Sequence, residues 1–548
     1  MLPYSRWQLA LGAAVTVYAV RKLLLKVVAL STRKKTPPPA PTGAVPVYDV
    51  LSVGAGLSGI CAGYHMQNDL PGKTFAILEG RSVLGGTWEL FRYPGIRSDS
   101  DMFTLGFPFF PWCDPKGIAD GPAILSYIQA AAKHFGIDKK IIFNMKVVRA
   151  SWSDEENMWT LDISPHKDAA YRQMKCRFLI MSSGYYNYDT AFTPEFPSRA
   201  HFPGPVVHPQ FWDPKLDYTD KKIVIIGSGA TAITLLPELT KKAAHVTMLQ
   251  RTPTYIVTAP YEDPFYRVLT KYLLLPKNFV AGFCKWKNIL RGMFYYWLAK
   301  RNPLKLKTEL IKRVQAELGP SFDMKHFTPP YDVWDQRVCL VPESDLFKVM
   351  KEGKASVVTD SIVKFTSKGI LLSSGLELPA DIIITATGLI AVCLGGAEIY
   401  VNGKKISASQ TTCYRGNMYS DLPNMNALTG YTNASWTLKC DLSAQYMVRL
   451  LKHMDKNGYK SCTPRLRGVV ADAGSVFSGL SFWLCAACGQ RYAEVGGSKS
   501  PWKMNTNYIR DMVDIGYGSV TDSFLSTSKK KTRSSIDDFW FLSPYFLA

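Results

Sequence analysis

Two glycine-rich turns constrain the fold of this chain of 548 residues more than any other feature. The first turn, GAGLSG at 54–59, follows an apolar strand pattern, and the second, GSGATA at 227–232, follows KIVII. In a strand–turn–helix setting the first glycine permits a tight turn, the second lets the backbone approach a pyrophosphate, and the third small residue allows close packing. The sequence therefore predicts an α/β fold with two interleaved Rossmann-like dinucleotide-binding domains. The predicted cofactor-binding residues of the turns are Gly54, Gly56, Ser58, Gly59, Gly227, Ser228, Gly229, Ala230, Thr231 and Ala232.

The residues that end the next strand indicate which dinucleotide each turn binds. Glu79 stands 20 residues after Gly59, where a carboxylate accepts a hydrogen bond from a ribose 2′-OH. The corresponding run after the second turn ends in Gln250-Arg251-Thr252, without an acidic residue. Arg251 would pair with a 2′-phosphate that a carboxylate would repel, and the alternative is a solvated surface arginine. We therefore predict FAD at the first turn and NADPH at the second, with hydride passing from nicotinamide to flavin.

Composition and cysteine spacing exclude several other classes of protein. Lys and Arg total 65 against 44 Asp and Glu, but no basic helix carries base-reading residues and no zinc-finger or RNP spacing occurs. We therefore expect no nucleic-acid partner. The 11 cysteines form no disulfide framework, which favours a reducing compartment. Cys485 and Cys488 form a CxxC pair without a second pair, so no metal site is predicted.

Residues 1–44 are expected to attach the chain to a membrane. Before Asp49 the sequence has seven basic residues and no acidic ones, and the stretch 7–20 is uncharged. That stretch is too short for a hydrocarbon core of ~30 Å, unless the basic residues in 21–26 share one helical stripe and reach the interface. We predict an uncleaved anchor that holds the catalytic body on the cytosolic side, with the endoplasmic reticulum favoured. The alternative is a basic mitochondrial presequence.

Several longer motifs resemble one family. GGTW at 85–88 and RYPGIRSDSD at 92–101 are similar to class B flavoprotein monooxygenases. FPGPVVHPQFWD at 202–213 fits FxGxxxHxxxW(P/D), the pattern of Baeyer–Villiger monooxygenases. Relatives that oxygenate sulfur or nitrogen usually carry Tyr or Phe at the position of Trp212. Further segments, at 334–342, 381–388 and 430–438, resemble the ethionamide-activating subgroup, and the resemblance as a whole covers 48–459 and 498–512.

This resemblance implies an NADPH-dependent FAD monooxygenase that inserts one oxygen atom of O₂ into a small hydrophobic ketone through a C4a-peroxyflavin, giving an ester or lactone. It implies that Arg337 is catalytic with Asp99 as its partner, and that His208 is a hinge or NADPH-positioning residue or else a packing histidine. A guanidinium suits this chemistry because it stabilises a peroxyanion and an oxyanion without acting as an acid. The further cofactor-binding residues implied are Gly86, Thr87, Trp88, Arg97, Ser98, Asp99, Val147 and Thr252. The alternatives are an S- or N-oxygenating enzyme and a catalytically impaired FAD-binding membrane protein.

The predicted domains follow from these segments. They are an anchor and linker at 1–44, a first FAD-binding part at 45–195, an NADPH-binding domain with a helical insertion at 196–384, and a second FAD-binding part with a tail at 385–548. Residues 463–497 depart from the family, which predicts a locally altered reading frame or an alternative exon. Residues 260–315 are rich in aromatic, Leu, Lys and Arg residues, which predicts either a basic amphipathic membrane-lying or substrate-entry helix or a packed helical insertion. The substrate and the oligomeric state stay open.

Overall fold

The computed structural model describes residues 45–164, 171–407, 411–431, 433–466, 474–475, 495–496, 500–503 and 505–529. The strands before residue 200 are β1 (Val47–Val53), β2 (Phe75–Leu78), β3 (Ile141–Ile142), β4 (Val147–Ser153), β5 (Met158–Ile163) and β6 (Gln173–Met181). The strands of the middle part are β7 (Val206–Val207), β8 (Lys222–Ile226), β9 (His245–Gln250), β10 (Tyr255–Ala259), β11 (Val338–Pro342), β12 (Ala355–Thr359), β13 (Ile362–Phe365), β14 (Gly369–Leu372), β15 (Glu377–Pro379) and β16 (Ile382–Thr385). The strands of the last part are β17 (Glu398–Val401), β18 (Lys404–Ile406), β19 (Cys413–Tyr414), β20 (Met418–Tyr419), β21 (Met425–Ala427), β22 (Tyr459–Pro464), β23 (Gly474–Ser475), β24 (Val495–Gly496) and β25 (Leu525–Lys529).

The α-helices follow the glycine-rich turns or fill the connections between strands. They are α1 (Leu57–Asp69), α2 (Thr87–Leu90), α3 (Met102–Leu105), α4 (Gly121–Phe135), α5 (Ala230–Leu239), α6 (Pro264–Lys271), α7 (Lys277–Arg301), α8 (Pro303–Leu318), α9 (Asp345–Lys351), α10 (Trp436–Asn457) and α11 (Tyr508–Asp511).

The larger sheet contains β1 and the first glycine-rich turn. Its order is β18-β17-β4-β5-β6-β1-β2-β3, with β21 also pairing with β6. Val50 and Leu51 of β1 are fully buried because helices cover one face of the sheet and a second apolar cluster covers the other. β1 runs parallel to β2 and to β6, so the turn and the start of α1 lie at the carboxyl end of these strands. This edge of an open α/β sheet is where ligands bind.

The second sheet contains β8 and the second glycine-rich turn. It is wholly parallel, in the order β12-β9-β8-β16-β7. Helix α5 follows the turn and buries Leu235, Leu236 and Leu239 against it. One neighbour of β8 is β9, and the other is β16, which comes from much later in the chain. The sheet is therefore complete only when the chain returns at Ile382–Thr385.

The chain crosses between the two sheets after β6 and again after β16, and the two crossings are hydrogen-bonded to each other. The backbone N–H of Asn187 donates to the carbonyl of Ile390 at 2.8 Å. The N–H of Val392 donates to the carbonyl of Tyr185 at 3.0 Å. The second unit is therefore attached to the first by a paired segment.

Helices α6, α7 and α8 occupy the region in which the sequence predicts a helical insertion. Within the described ranges, every helix is too short or too polar to cross a membrane. The predicted anchor at 1–44 and the Cys485/Cys488 pair lie outside the described residues, as does most of the atypical stretch 463–497. These predictions, and the domain boundaries, stay predictions.

Candidate active site

A cavity of about 1720 Å³ is lined by residues of the larger sheet, of the parallel pair β10–β11, and of helices α5 and α7. The predicted site residues in its lining are Gly54, Gly56, Ser58, Glu79, Gly86, Thr87, Trp88, Arg97, Ser98, Asp99, Val147, Ala230 and Arg337. The predicted site residues outside this lining are Gly59, His208, Gly227, Ser228, Gly229, Thr231, Ala232, Arg251 and Thr252. The structure thus brings the first turn and the arginine into one space, with the start of α5 at its border.

The first turn needs glycine for steric reasons that the structure makes explicit. Gly54 has a φ of +104°, and a Cβ there would lie 2.5 Å from the carbonyl oxygen of Ser182. A Cβ on Gly59 would lie 1.9 Å from the carbonyl oxygen of Gly54, so helix and turn could not pack as they do. Gly56 caps α1 without any side-chain hydrogen bond. The first N–H groups of α1 are therefore left for a ligand in the cavity.

Glu79 directly follows β2 and holds the first turn in shape. One carboxylate oxygen accepts from the N–H of Ala55 at 2.8 Å, and the other accepts from the N–H of Arg81 at 3.0 Å. Burial raises the pKa of Glu79, although these two hydrogen bonds work in the opposite direction. The sequence assigns Glu79 to a ribose hydroxyl. The structure adds a second task, which is to fix the loop that carries Gly54 and Gly56.

Arg97 lines the cavity but is already paired. Its guanidinium makes two hydrogen bonds to Asp345 at the start of α9, at 2.6 and 3.3 Å. The Ser98 hydroxyl donates to the carbonyl of Ser100 at 2.7 Å. Asp345 lies 248 positions from Arg97, so the sequence offers no signal for this pair. The contact ties the 97–99 segment to α9, which packs in the same apolar cluster as the second sheet, and thereby helps to place Asp99.

Arg337 meets Asp99 in the cavity. Its Nη1 donates to the Asp99 carboxylate at 2.9 Å, and its Nη2 donates to the Tyr185 hydroxyl at 3.5 Å. Partial loss of hydration inside the cavity alone would lower the pKa of Arg337, but Tyr185 and Asp99 raise it, so the guanidinium stays charged. The Arg337 side chain is 42% exposed, and pairs exposed to this extent contribute at most about 1 kcal/mol to stability. The pair therefore orients the guanidinium more than it stabilises the fold.

A chain of contacts leads from Arg337 to the first turn. The Tyr185 ring stacks on Trp436, with ring centroids 5.0 Å apart and planes at 27°. The indole N–H of Trp436 donates to the hydroxyl of Ser58 at 2.9 Å, next to Cys440 at 3.3 Å. The sequence missed Tyr185. Its position four residues after β6, at the carboxyl edge of the sheet, is the signal that would have found it.

The second turn repeats the steric pattern of the first. Gly227 has a φ of +123°, and a Cβ there would lie 2.3 Å from the carbonyl oxygen of Ala386. Ser228 donates from its hydroxyl to the carbonyl of Thr252 at 3.1 Å. Gly229 caps α5 without a side-chain hydrogen bond, and a Cβ there would meet nothing within 4 Å. The N–H groups at the start of α5 are thus also left for a ligand, and Arg251 follows directly after β9.

His208 lies in the connection before β8, away from the cavity lining. Its Nε2–H donates to the carbonyl of Gly388 at 3.1 Å, while its Nδ1 accepts from the N–H of Gln210 at 3.1 Å. Burial lowers the pKa of His208, which favours this neutral form. Nε2 therefore ties His208 to the second crossing, while Nδ1 is occupied by a local contact two residues along the chain. This arrangement suits the hinge role and does not place His208 beside the Arg337 pair.

Comparison with known sequences decides the family. A profile described as "Flavin-binding monooxygenase-like" matches residues 105–390, more than half of the chain, and one for an NAD(P)-binding Rossmann-like domain matches residues 53–114. The chain is 47% identical over 490 residues to the FAD-containing monooxygenase EthA of Mycolicibacterium smegmatis, covering 89% of this chain and 98% of that protein. The chain belongs to the flavin-binding monooxygenase-like family. Its membership confirms the predicted resemblance, the predicted flavin-dependent monooxygenase and FAD as its cofactor.

A second relative is similar in sequence, and two solved structures are similar in fold. EthA of Mycobacterium tuberculosis is 45% identical over 484 residues, which is 88% of this chain and 98% of the relative. A structure of oxidized steroid monooxygenase bound to NADP has a TM-score of 0.67 at 20% identity, covering 88% of this chain and all of that one. A closed structure of cyclohexanone monooxygenase has a TM-score of 0.66 at 17% identity, covering 89% of this chain and all of that one. These two structures show the shared fold.

A buried charged network, which the sequence did not predict, joins the helix after the first turn to α10. His65 of α1 is hydrogen-bonded at Nε2 to Asp441 at 2.8 Å and at Nδ1 to Asp69 at 2.9 Å. Burial lowers the pKa of His65, but the two carboxylates outweigh it and raise the pKa to about 9. Cys61, His65 and Asp441 place their ligand atoms within 4.8 Å of one another, although both nitrogens of His65 are already hydrogen-bonded. We interpret the group as an ionic link between α1 and α10.

Proposed function

We propose that the protein is an NADPH-dependent FAD monooxygenase of Baeyer–Villiger type, which inserts one oxygen atom of O₂ into a small hydrophobic ketone to give an ester or lactone. The observation that carries this proposal is a permanently charged guanidinium in the cavity, held by Asp99 next to Tyr185. The FxGxxxHxxxW(P/D) pattern at 202–213 supports the same assignment. The named steroid and cyclohexanone monooxygenases share the fold.

The residues of the first site fit FAD. The uncapped start of α1 offers backbone N–H groups to a pyrophosphate, and Gly56 leaves a close approach open, since a Cβ there would have its nearest neighbour at 3.5 Å. Trp436 and Ser58 line the same cavity and are hydrogen-bonded to each other. When bound and reduced, FAD would supply the electrons that activate O₂. Ser58, Trp436 and Tyr185, which are in contact with one another, would help to hold it.

The residues of the second site fit NADPH. Gly229 and the uncapped start of α5 offer a second phosphate site, and Arg251 supplies a positive charge for a 2′-phosphate. Arg97 to Asp99 line the cavity between this site and the first turn. Because Asp345 holds Arg97 in place, this segment can border the nicotinamide without a large rearrangement.

Arg337 performs the electrostatic part of the reaction. Negative charge develops on oxygen both before attack on the carbonyl carbon and in the adduct that follows. A fixed guanidinium stabilises that charge and does not donate its proton near pH 7, because its pKa is raised. Asp99 keeps Arg337 in place, and Tyr185 contacts its other nitrogen.

The test uses purified full-length protein, NADPH, O₂ and two substrates, a hydrophobic ketone and a sulfide. Ester formation is expected from the ketone. Arg337→Ala should lower the ester yield by roughly 10²–10³-fold while leaving NADPH-dependent flavin reduction measurable, since removing one oxyanion-stabilising group costs about this much. Arg177→Ala is the matched control, because this exposed arginine lies outside the cavity lining. Sulfoxide without ester would favour the S-oxygenating alternative, and the absence of NADPH oxidation would favour the impaired protein.

We further propose that residues 1–44 anchor this enzyme in a membrane with the catalytic body on the cytosolic side, the endoplasmic reticulum being favoured over the mitochondrion. The support is the uncharged stretch 7–20 followed by basic residues. Protease protection of intact microsomes tests it. The catalytic body should be digested without detergent, and its protection would contradict the orientation.

A further inference from the structure

Helix α7 carries a row of exposed apolar side chains on one face. Thirteen of the 22 exposed large apolar side chains in the described residues fall between Phe265 and Leu304. On α7 these residues recur at intervals of four and three, which places them on one helical face. We call this row the apolar stripe, and its members are Phe279, Phe283, Trp286, Leu290, Phe294 and Trp297. Each is at least 43% exposed. The opposite face of α7 is buried through Val280, Ala281 and Cys284.

The surroundings of the apolar stripe are strongly basic. The whole chain has a net charge of +21. Residues 264–307 contain ten Lys or Arg and no Asp or Glu. Lys287 is ion-paired with Asp263, and Lys300 with Asp335. Among the described residues, the basic residues of this segment without an ion pair to a carboxylate include Lys271, Lys277, Arg301 and Lys305. A partner for this surface must therefore be both apolar and negatively charged.

We propose that the apolar stripe lies in the interface of an anionic lipid bilayer, with the flanking lysines and arginines at the headgroups. Trp, Phe and Leu on one face with Lys and Arg beside them are typical of helices that lie in the membrane plane. A second copy of the chain is disfavoured, because a twofold contact would set this basic segment against its equal.

The chain's own undescribed segments are no better suited by charge. Residues 1–44 have seven basic and no acidic side chains. Residues 467–499, most of which lie outside the described ranges, and residues 530–548 each have three basic and two acidic side chains. None of these segments brings the net negative charge that the stripe's surroundings require, whereas an anionic bilayer does.

The same helix connects the bilayer surface with the cavity. Ile289, Met293, Tyr296 and Lys300 form a row beside the apolar stripe, and this row lines the cavity. Trp297 belongs both to the stripe and to the cavity lining. A hydrophobic substrate dissolved in the bilayer would thus reach the cavity past Trp297. This entry route rests on the proposed oxygenation of a hydrophobic substrate, whereas lipid binding by the stripe does not.

The experiment must report on the stripe itself, because residues 1–44 are predicted to bind membranes independently. Full-length, FAD-loaded protein is mixed with vesicles that contain acyl-chain-brominated phosphatidylcholine, with or without about 30% phosphatidylserine, and tryptophan quenching is measured. The fraction contributed by the stripe is the quenching lost in Trp286→Phe/Trp297→Phe. We expect the stripe to contribute measurable quenching when the vesicles contain phosphatidylserine. Phe283→Glu/Leu290→Glu should reduce this contribution about tenfold or more.

Two further variants keep the test decisive. Val363→Glu/Leu376→Glu is the matched control, because it changes two exposed apolar residues on another part of the surface, and quenching should stay unchanged. Lys271→Gln/Lys277→Gln/Arg301→Gln leaves the stripe intact and should weaken its quenching only with anionic vesicles. Equal stripe quenching with both vesicle types would overturn the proposal. Burial of the stripe tryptophans in the absence of lipid would overturn it as well. So would a dimer in sedimentation that Phe283→Glu/Leu290→Glu dissociates. If the wild type shows the expected stripe quenching but forms no ester, that result would instead count against the proposed function alone.

Discussion

Replacing Gly229 by alanine should disable the second nucleotide site and leave the rest of the molecule intact. Gly229 has a φ of −77° and a ψ of −177°, a conformation that alanine adopts without strain. A Cβ at this position would meet no protein atom within 4 Å. The stability of the fold therefore should not change. The methyl group would occupy the space in front of α5, through which the proposed pyrophosphate must approach the backbone.

The size of the effect follows from the hydrogen bonds that the methyl group would prevent. Hydrogen bonds to charged groups contribute about 1.5–3 kcal/mol each, and about 1.4 kcal/mol corresponds to a factor of ten in affinity. Loss of one such bond from the N–H groups at the start of α5 should raise the KM for NADPH by about 10–100-fold. FAD binds to the other turn, so its content should not change.

Stopped-flow measurement of flavin reduction provides the assay. At subsaturating NADPH the rate of the Gly229→Ala variant should fall by about 10–100-fold, whereas dithionite should reduce its flavin as in the wild type. Gly72→Ala serves as the control, because a Cβ there also meets nothing within 4 Å and the position lies in the connection between α1 and β2, outside both glycine-rich turns. An unchanged KM for NADPH in Gly229→Ala would refute the assignment of the second turn.

Three other perturbations test separate parts of the structure. Gly59→Ala would bring a Cβ to 1.9 Å from the Gly54 carbonyl, so the ratio of FAD to protein after gel filtration should drop sharply. Asp99→Asn should lower the ester yield about tenfold with flavin reduction retained, since Arg337 loses its charged partner; an unaltered yield would contradict the positioning role. The raised pKa of His65, about 9 against 6.5, contributes on the order of 3 kcal/mol to stability, complete below about pH 6.5 and lost as the pH rises through 9. The melting temperature of the wild type should therefore fall more between pH 6.5 and 10 than that of His65→Asn.

The sequence predicted the parts of the fold whose physical causes are local. A glycine with positive φ and a small residue at a helix–strand contact are needed at fixed spacing, so the spacing alone places the turns at 54–59 and 227–232. The return of β16 to the second sheet depends on pairing across the chain, and only the resemblance to a family indicated where it occurs. The helical insertion was predicted from composition, but the apolar stripe is defined by the exposure of each side chain, which composition does not specify.

The candidate site was predicted unevenly for the same reason. Arg337 and Asp99 lie 238 positions apart, and the family motifs identified both residues, which the fold then brings into contact. The pair Arg97–Asp345 and the link His65–Asp441 connect positions 248 and 376 apart. Of these four residues only Arg97 belongs to a motif, so no sequence pattern relates the members of either pair. His208 belongs to a motif but does not line the cavity. A motif can identify a residue, but it does not specify what its side chain contacts in the fold.

The paired crossings restrict how the two halves of the molecule can move. Because Asn187 and Val392 donate across them, neither crossing can shift along the other without breaking backbone hydrogen bonds. If the second sheet reorients, the two paired crossings must therefore rotate together. Tyr185 belongs to one of these crossings and contacts Arg337, which itself directly precedes β11. A rotation that accompanies coenzyme exchange would therefore reposition the guanidinium in the same movement, so the two events share a single degree of freedom.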